Sequence, residues 1–413
     1  MVEISKICKI SREASLKLAS YTTSNKNLIL DAIANALESN TERILAQNAL
    51  DIKNLDVKDA VFVDRLTLTA EKIKAMSNGV RSIVLLADPV GKVTSKWTRP
   101  NGLEIKKVRA PLGVVAIIYE ARPNVTVDAA ALCIKSGNAV ILRGSKGAIN
   151  SNRILFEIMQ TSICRLGFDP NIVQFIDDIN RNSVDELLLQ DKYIDVIIPR
   201  GGEALKHHII ENSKIPVIAS AGGNCHIFVE NSANFDMAVN IIINAKVSRP
   251  SVCNATEHIL VDENIASAFI PICVNALAKN NVQVRGDSYT KELCNGVELM
   301  EESDFYTEYL SLTASVSVVK NVDEAICHIN AFGTKHSEAI ISKNEMAIKR
   351  FQKEVDAAVI YVNASTRFTD GYEFGFGAEM AISTNKLHAR GPLGLEQLTS
   401  EKYLVEGEGQ IRR

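Results

Sequence analysis

Cys253 sits in the stretch SRPSVCNATEHILV (248–261). A segment of helical pattern precedes it and an apolar run of β character follows. Arg249, Pro250 and Ser251 stand before it and Asn254 after it. The thiolate, not the thiol, is the nucleophile, and nearby positive charge and exposed backbone N–H groups favour it. A loop of this composition is where a nucleophilic cysteine would be placed. The alternative is a structural cysteine packed as a small hydrophobe.

Two further segments carry polar groups suited to a reaction at such a thiol. In YEARPNVTVDAA, Asn124 falls between a strand end and a helix start. Its amide could donate to a developing oxyanion together with the Cys253 backbone N–H. It could equally be an N-cap, a position asparagine favours. In AVILRGSKGAINSN a strand ends at Leu142 and presents Arg143, Gly144, Ser145 and Lys146. Doubly wound sheets bind ligands at the carboxyl ends of their strands, and a dinucleotide fold for NAD offers an acidic residue to the ribose 2′-OH. Cations there suit a 2′-phosphate instead, hence NADP. The alternative is a solvated basic turn. Gly201 and Gly202, in IIPRGGEAL, mark a strand-to-helix junction whose N–H groups could bind phosphate. No GxGxxG, GxSxG, HExxH or Walker motif is present, and no metal site is expected, because His207 and His208 lack i,i+4 spacing and a third ligand.

The elements that would position these residues follow a two-part plan. The chain has 413 residues, 46% of them hydrophobic, which suffices for two domains. Residues 1–90 read as amphipathic helices. The stretch 95–112 reads as a hairpin, which is marginal alone and needs a partner surface. From 113 onward strands alternate with helices, which argues for parallel sheets covered on both faces. The helix in TVDAAALCIKSG should end at Gly137 and the next at Gly167. PVIAS and CHIFVE read as strands. The expected division is a nucleotide-binding domain over 1–94 and 113–230, a second α/β domain with the cysteine over 231–365, and an oligomerisation hairpin and tail over 95–112 and 366–413, the tail either returning to the first domain or reaching a partner subunit. Both of these last would otherwise expose strand edges, so a homodimer or larger oligomer is expected.

Net charge is −3 with signs interspersed, which argues against nucleic-acid binding. The apolar runs are strand length and too short for a membrane span. The N-terminal stretch has no signal-like apolar core. The eight cysteines show no CxxC spacing, so free thiols in the cytoplasm are expected.

Taken together, RPSVCNATE, YEARPNVT, LRGSKGA, GTKHSEAI (333–340) and GFGAEMAISTNKLHARGPLGLEQLTSEKYLV (375–405) resemble the gamma-glutamyl phosphate reductases of the aldehyde dehydrogenase superfamily, from about residue 3 to the end. One position departs: Phe332 stands where His or Tyr is expected. The resemblance implies an aldehyde dehydrogenase-like fold, with a Rossmann-type cofactor domain, a second α/β catalytic domain and a small β oligomerisation element. It implies NADPH-dependent reduction of L-glutamyl 5-phosphate to L-glutamate 5-semialdehyde through a Cys253 thioester, with functional coupling to a glutamate 5-kinase. Ser220, in ASAGG, occupies the position where hydrolytic relatives carry the glutamate that activates water, so a thioester would be protected from hydrolysis. Glu308, in TEYLSL, matches the glutamate that holds the nicotinamide ribose; otherwise it is a surface carboxylate. Arg122, Arg249, Lys335, His336 and Arg367 are candidates for the anionic parts of the substrate, and Arg249 could also assist the thiolate. The rivals are a coenzyme A-acylating dehydrogenase, a thiol hydrolase pairing Cys253 with a histidine such as His226, and a non-catalytic nucleotide-binding protein.

Overall fold

The computed structural model describes residues 3–55, 60–120, 122–219 and 222–412. They divide into two compact units. One comprises Met1–Ala219, Gly375–Ala381 and Leu393–Arg413, the other Ser220–Phe374 and Ile382–Pro392.

The first unit is built on a four-stranded parallel sheet in the order Val173–Phe175, Ala139–Arg143, Val114–Tyr119, Val196–Arg200. Val114–Tyr119 and Ala139–Arg143 are buried throughout, as their unbroken apolar runs require of a sheet covered on both faces. The chain builds outward from Val114–Tyr119 through two strands, then returns to add Val196–Arg200 on the other side. That reversal makes a topological switch point between Val114–Tyr119 and Val196–Arg200, where such sheets bind ligands. Helix Pro123–Lys135 begins with proline, whose fixed φ suits the first turn. It closes at Gly137, where φ is +80° and the next N–H returns to the Cys133 carbonyl at 2.8 Å. Helix Ile149–Arg165 closes in the same manner at Gly167, φ +79°. Both expected helix ends are therefore found.

The same unit carries a three-stranded antiparallel sheet of Val93–Thr98, Glu104–Pro111 and Thr399–Glu406. The hairpin and the C-terminal strand thus pair with each other, from Thr399 opposite Pro111 to Glu406 opposite Glu104. Trp97 and Tyr403 meet edge to face at 6.2 Å, both exposed.

The second unit holds a seven-stranded parallel sheet, ordered Glu298–Leu299, Gln283–Gly286, Thr313–Val319, Thr256–Asp262, Cys225–Val229, Ser337–Ile341, Val359–Val362. Its two faces are filled by separate clusters, one around Ile242, Phe269 and Val316, the other around Phe228, Ile329 and Phe351. Three expectations change. The division falls between Ala219 and Ser220 rather than at 230/231, because Cys225–Val229 pairs with Thr256–Asp262 and Ser337–Ile341. The 366–413 segment is shared between the two units rather than forming one tail. Over its described residues 216–219, PVIAS forms a single bridge, Val217 to Ile197, and no strand.

Candidate active site

In the first unit, three strand ends carry the expected polar residues. Asn124 lies inside the first turn of helix Pro123–Lys135, whose N-cap position is Arg122. The N-cap reading of Asn124 is thereby corrected: its amide is exposed and donates to the Asp128 carboxylate at 3.0 Å, one turn on. Burial pushes the Asp128 carboxyl up to about 6, with the Asn124 hydrogen bond and the Arg200 charge opposing. Arg122 is half-buried just before the helix.

At the next strand end, Arg143 is 9% exposed and donates to the carbonyls of Gly144 and Asn180, each at 3.1 Å. Burial lowers its pKa. Its Nε and the Ser145 hydroxyl are buried with no hydrogen-bond partner among the described residues, and such groups are rare without a ligand or water to satisfy them. Gly144 is packed so closely that a Cβ would strike the Asn152 amide and approach Tyr119. Lys146 is exposed, at the start of a short 3-10 turn.

Two helix starts compete as phosphate sites. That of Ile149–Arg165 is already occupied: Asp51 accepts from the N–H groups of Asn150 at 3.1 Å and Ser151 at 2.8 Å. That of Glu203–Asn212, capped by Gly202, has no side-chain cap among the described residues, which leaves first-turn N–H groups for a ligand. It also lies at the switch point. A Cβ at Gly201 would come within 2.8 Å of the Glu120 and Leu205 side chains, which would have to shift to admit it.

In the second unit, Cys253 is half-buried on the loop between helix Phe235–Val247 and strand Thr256–Asp262. The loop is pinned from three sides. The Cys225 thiol donates to the Cys253 carbonyl at 3.2 Å. Gly223 abuts that carbonyl, and a Cβ on Gly223 would overlap it. Asn254, 5% exposed, donates to the carbonyls of Arg367 and Thr369 at 3.2 and 3.0 Å, while its own carbonyl accepts from Thr366 at 2.7 Å.

Glu308 is not a free surface carboxylate: it accepts from the Gly223 N–H at 2.6 Å. Arg367 bonds the Asn254 amide oxygen and, at 3.2 Å, Ser248. Burial and the neighbouring Arg249 lower its pKa, and the Cys253 charge raises it, so the guanidinium and the thiol lie within electrostatic reach. Arg249 is exposed beside them. Arg367 also lines a cavity of about 350 Å³ with Ser248, Asp370 and Glu373.

The remaining candidates are turned elsewhere. Lys335, at φ +64°, pairs with Asp356 at 3.3 Å, and Asp356 also takes Lys386 and Arg390. Those hydrogen bonds hold the Asp356 carboxyl well below its usual range. His336 is fully buried, its Nδ1 2.9 Å from Ser337 Oγ and 3.9 Å from Cys225 Sγ. It faces the core beneath the loop, so the expectation that it contacts substrate is withdrawn. Ser220 lies outside the described residues.

Sequence reasoning missed the buried polar layer below Cys253. Cys225 and His226 are adjacent in strand Cys225–Val229, and its pairing with Thr256–Asp262 is irregular between them. Cys225 faces Cys253. His226 packs in the core with His258 and His328, ring centroids 4.8 and 5.5 Å away, and its Nδ1 lies 3.1 Å from Glu338. This placement disfavours a Cys253–His226 hydrolase pair. Lys246 and Glu257, both 0% exposed, form an ion pair across the base of the loop. Burial pushes the carboxyl up and the ammonium down, each against the pull of the other. The legible signal was a single charge in each of two apolar runs, INAKV and TEHILV.

The loops of the second unit that carry Gly223, Cys253, Glu308 and Lys335 all precede their strands. They gather at the amino ends of a parallel sheet, whereas those of the first unit sit at carboxyl ends.

A switch-point sheet in one unit and a pinned cysteine loop in the other define an aldehyde dehydrogenase-type oxidoreductase, and the aldehyde dehydrogenase family model matches residues 2–291. The gamma-glutamyl phosphate reductase of Caldanaerobacter subterraneus subsp. tengcongensis is 49% identical over 414 residues, covering 100% of each chain. That of Carboxydothermus hydrogenoformans is 50% identical over 414 residues, again covering 100% of each. The crystal structure of gamma-glutamyl phosphate reductase from Thermotoga maritima matches with a TM-score of 0.98 at 44% identity, over 100% of both chains. The chain belongs to the aldehyde dehydrogenase family and, within it, to the gamma-glutamyl phosphate reductases. Among the described residues no helix is long and apolar enough to cross a membrane.

Proposed function

We propose that the protein reduces L-glutamyl 5-phosphate to L-glutamate 5-semialdehyde with NADPH, releasing phosphate, in proline biosynthesis. The observation that carries this reading is the Cys253 loop, held by Cys225, Gly223 and Asn254 beside the Arg367 guanidinium. The Cys253 thiolate attacks the acyl carbon, the carbon–oxygen bond to phosphate breaks, and the acyl group is carried as a thioester. Asn124 and the Cys253 backbone N–H receive the oxyanion. NADPH, when bound, supplies the hydride. Collapse of the tetrahedral adduct then returns the thiolate and frees the aldehyde.

The first unit fits the cofactor by its unsatisfied groups. Arg143 Nε and Ser145 Oγ are buried without partners among the described residues, and the Gly202 helix start lacks a side-chain cap. Lys146 and Arg143 would hold the 2′-phosphate of NADP, with Gly144 and Ser145 shaping the turn, and Gly201 and Gly202 the pyrophosphate. Glu308 would hold the nicotinamide ribose. Arg367, Arg249 and Arg122 would neutralise the substrate's carboxylate and phosphate, with Lys335 at the margin because Asp356 already engages it. With serine at 220, no carboxylate activates water there, so phosphate rather than hydroxide exchanges with the thioester. Acyl phosphates hydrolyse readily, which favours functional coupling to a glutamate 5-kinase. The exposed sheet around Trp97 and Tyr403 suits a homodimer or larger oligomer, and the location is the cytoplasm.

The test is direct. The protein is mixed with pyrroline-5-carboxylate and NADP without phosphate, quenched in acid and weighed by mass spectrometry. A glutamyl adduct on Cys253 is expected, and none in Cys253→Ala. An adduct that survives the substitution contradicts the assignment.

A further inference from the structure

Glu257 has two carboxylate oxygens and uses each for a different segment. Oε2 pairs with Lys246, in the last turn of the helix that enters the Cys253 loop. Glu257 itself lies in the strand by which the chain leaves that loop. Oε1 accepts from the Leu310 N–H at 3.3 Å. Leu310 has φ +53°, a left-handed conformation that disfavours side chains other than glycine and persists only where neighbours enforce it. It follows Glu308 by two residues, and Glu308 in turn holds the Gly223 N–H at 2.6 Å, against the Cys253 carbonyl. One circuit therefore runs from the nucleophile loop through Gly223, Glu308, Leu310 and Glu257 to Lys246 and back to the loop.

We infer that Glu257 is a positioning residue that sets the Glu308 segment and the Cys253 loop against each other, so one buried pair governs both the cofactor-binding carboxylate and the nucleophile. This rests on the proposed roles of Glu308 and Cys253. A carboxylate is needed because glutamine offers a single acceptor oxygen. In Glu257→Gln that oxygen turns to the charged Lys246, the stronger donor, and leaves Leu310 unheld.

The experiment measures NADPH binding by fluorescence titration, with thermal denaturation as a fold check. Glu257→Gln is expected to weaken NADPH about tenfold, the scale of one lost hydrogen bond to a charged group. Leu310→Gly is the discriminating variant. Leu310 is 40% exposed, so little packing is lost, and glycine adopts the left-handed conformation without the restraint. Glu257→Gln/Leu310→Gly should recover at least half of the loss on a logarithmic scale while remaining as thermally labile as Glu257→Gln. A purely structural role would move melting and affinity together and give no rescue. If Glu257→Gln does not fold, Glu257→Asp, which keeps the charge and shortens the reach, takes its place with the same expectation. Unchanged NADPH affinity in a folded variant, or loss without rescue by Leu310→Gly, overturns the inference. Glu308→Ala separates the two claims. If it leaves NADPH affinity unchanged, the role of Glu308 fails, and the inference with it. If it weakens NADPH while Glu257→Gln does not, the inference alone fails.

Discussion

Gly223→Ala should inactivate the protein without unfolding it. Three atoms nearest to an added Cβ all belong to the Cys253 backbone: its carbonyl oxygen, its carbonyl carbon and its Cα. Backbone cannot rotate away as a flexible side chain can. The loop or Gly223 must therefore move, and the Gly223 N–H that Glu308 holds at 2.6 Å moves with it. A displacement of about 1 Å at a reacting group costs on the order of 100-fold in rate, equivalent to about 2.7 kcal/mol of transition-state stabilisation. The overlap demands at least that displacement, because ordinary carbon–oxygen contacts lie beyond 3 Å. The assay is NADP reduction with pyrroline-5-carboxylate and phosphate, read as kcat and both KM values, alongside a melting curve. Loss concentrated in kcat, with a melting temperature within a few degrees of wild type, is expected. Activity within threefold of wild type in the alanine variant would refute the reasoning.

Lys146→Glu should shift the cofactor preference toward NAD, because a carboxylate repels a 2′-phosphate and accepts from a 2′-OH; an unchanged NADP/NAD ratio of kcat/KM would place the 2′-phosphate contact elsewhere. Asp128→Asn should stabilise the protein on the order of 1 kcal/mol at neutral pH and leave it little changed near pH 4. The Asp128 pKa is raised by burial to about 6, so the fold holds the proton more tightly than the unfolded chain. Wild-type stability contributed there is present below the unfolded value and falls as pH rises toward 6; melting curves of the two proteins that stay parallel across that window would contradict this. Light scattering at micromolar concentration should give a dimer or larger species, whereas a monomer would remove the role assigned to the Trp97–Tyr403 sheet.

Much of the first unit was legible in the sequence because it obeys local rules. Arg143, Gly144, Ser145 and Lys146 follow a buried apolar strand, as do Gly201 and Gly202, and the glycines that end the helices stand where left-handed backbone is needed. The second unit is less so. Its candidate loops precede their strands, so the rule that finds ligands at carboxyl ends says nothing about Cys253. The boundary after Ala219 depends on Cys225–Val229 pairing with strands far along the chain, and no local composition records that. In sequence Asn124 could equally be a cap, yet Pro123 beside it takes the first helical position and makes Arg122 the N-cap. His336 stands in a motif with Lys335, but it lies in the bend just before strand Ser337–Ile341 and is fully buried there. The Lys246–Glu257 pair was visible only as two charges in apolar runs, whose partnership requires the fold.

The central claim is that Cys253 passes an acyl group between phosphate and hydride. The measurement that tests it most directly follows NADPH absorbance as the protein acts on pyrroline-5-carboxylate and NADP, with and without inorganic phosphate. Phosphate-dependent reduction that vanishes in Cys253→Ala is the expected result. Sustained turnover without phosphate would mean that water releases the acyl group, and turnover that requires coenzyme A instead would contradict the acyl-phosphate assignment.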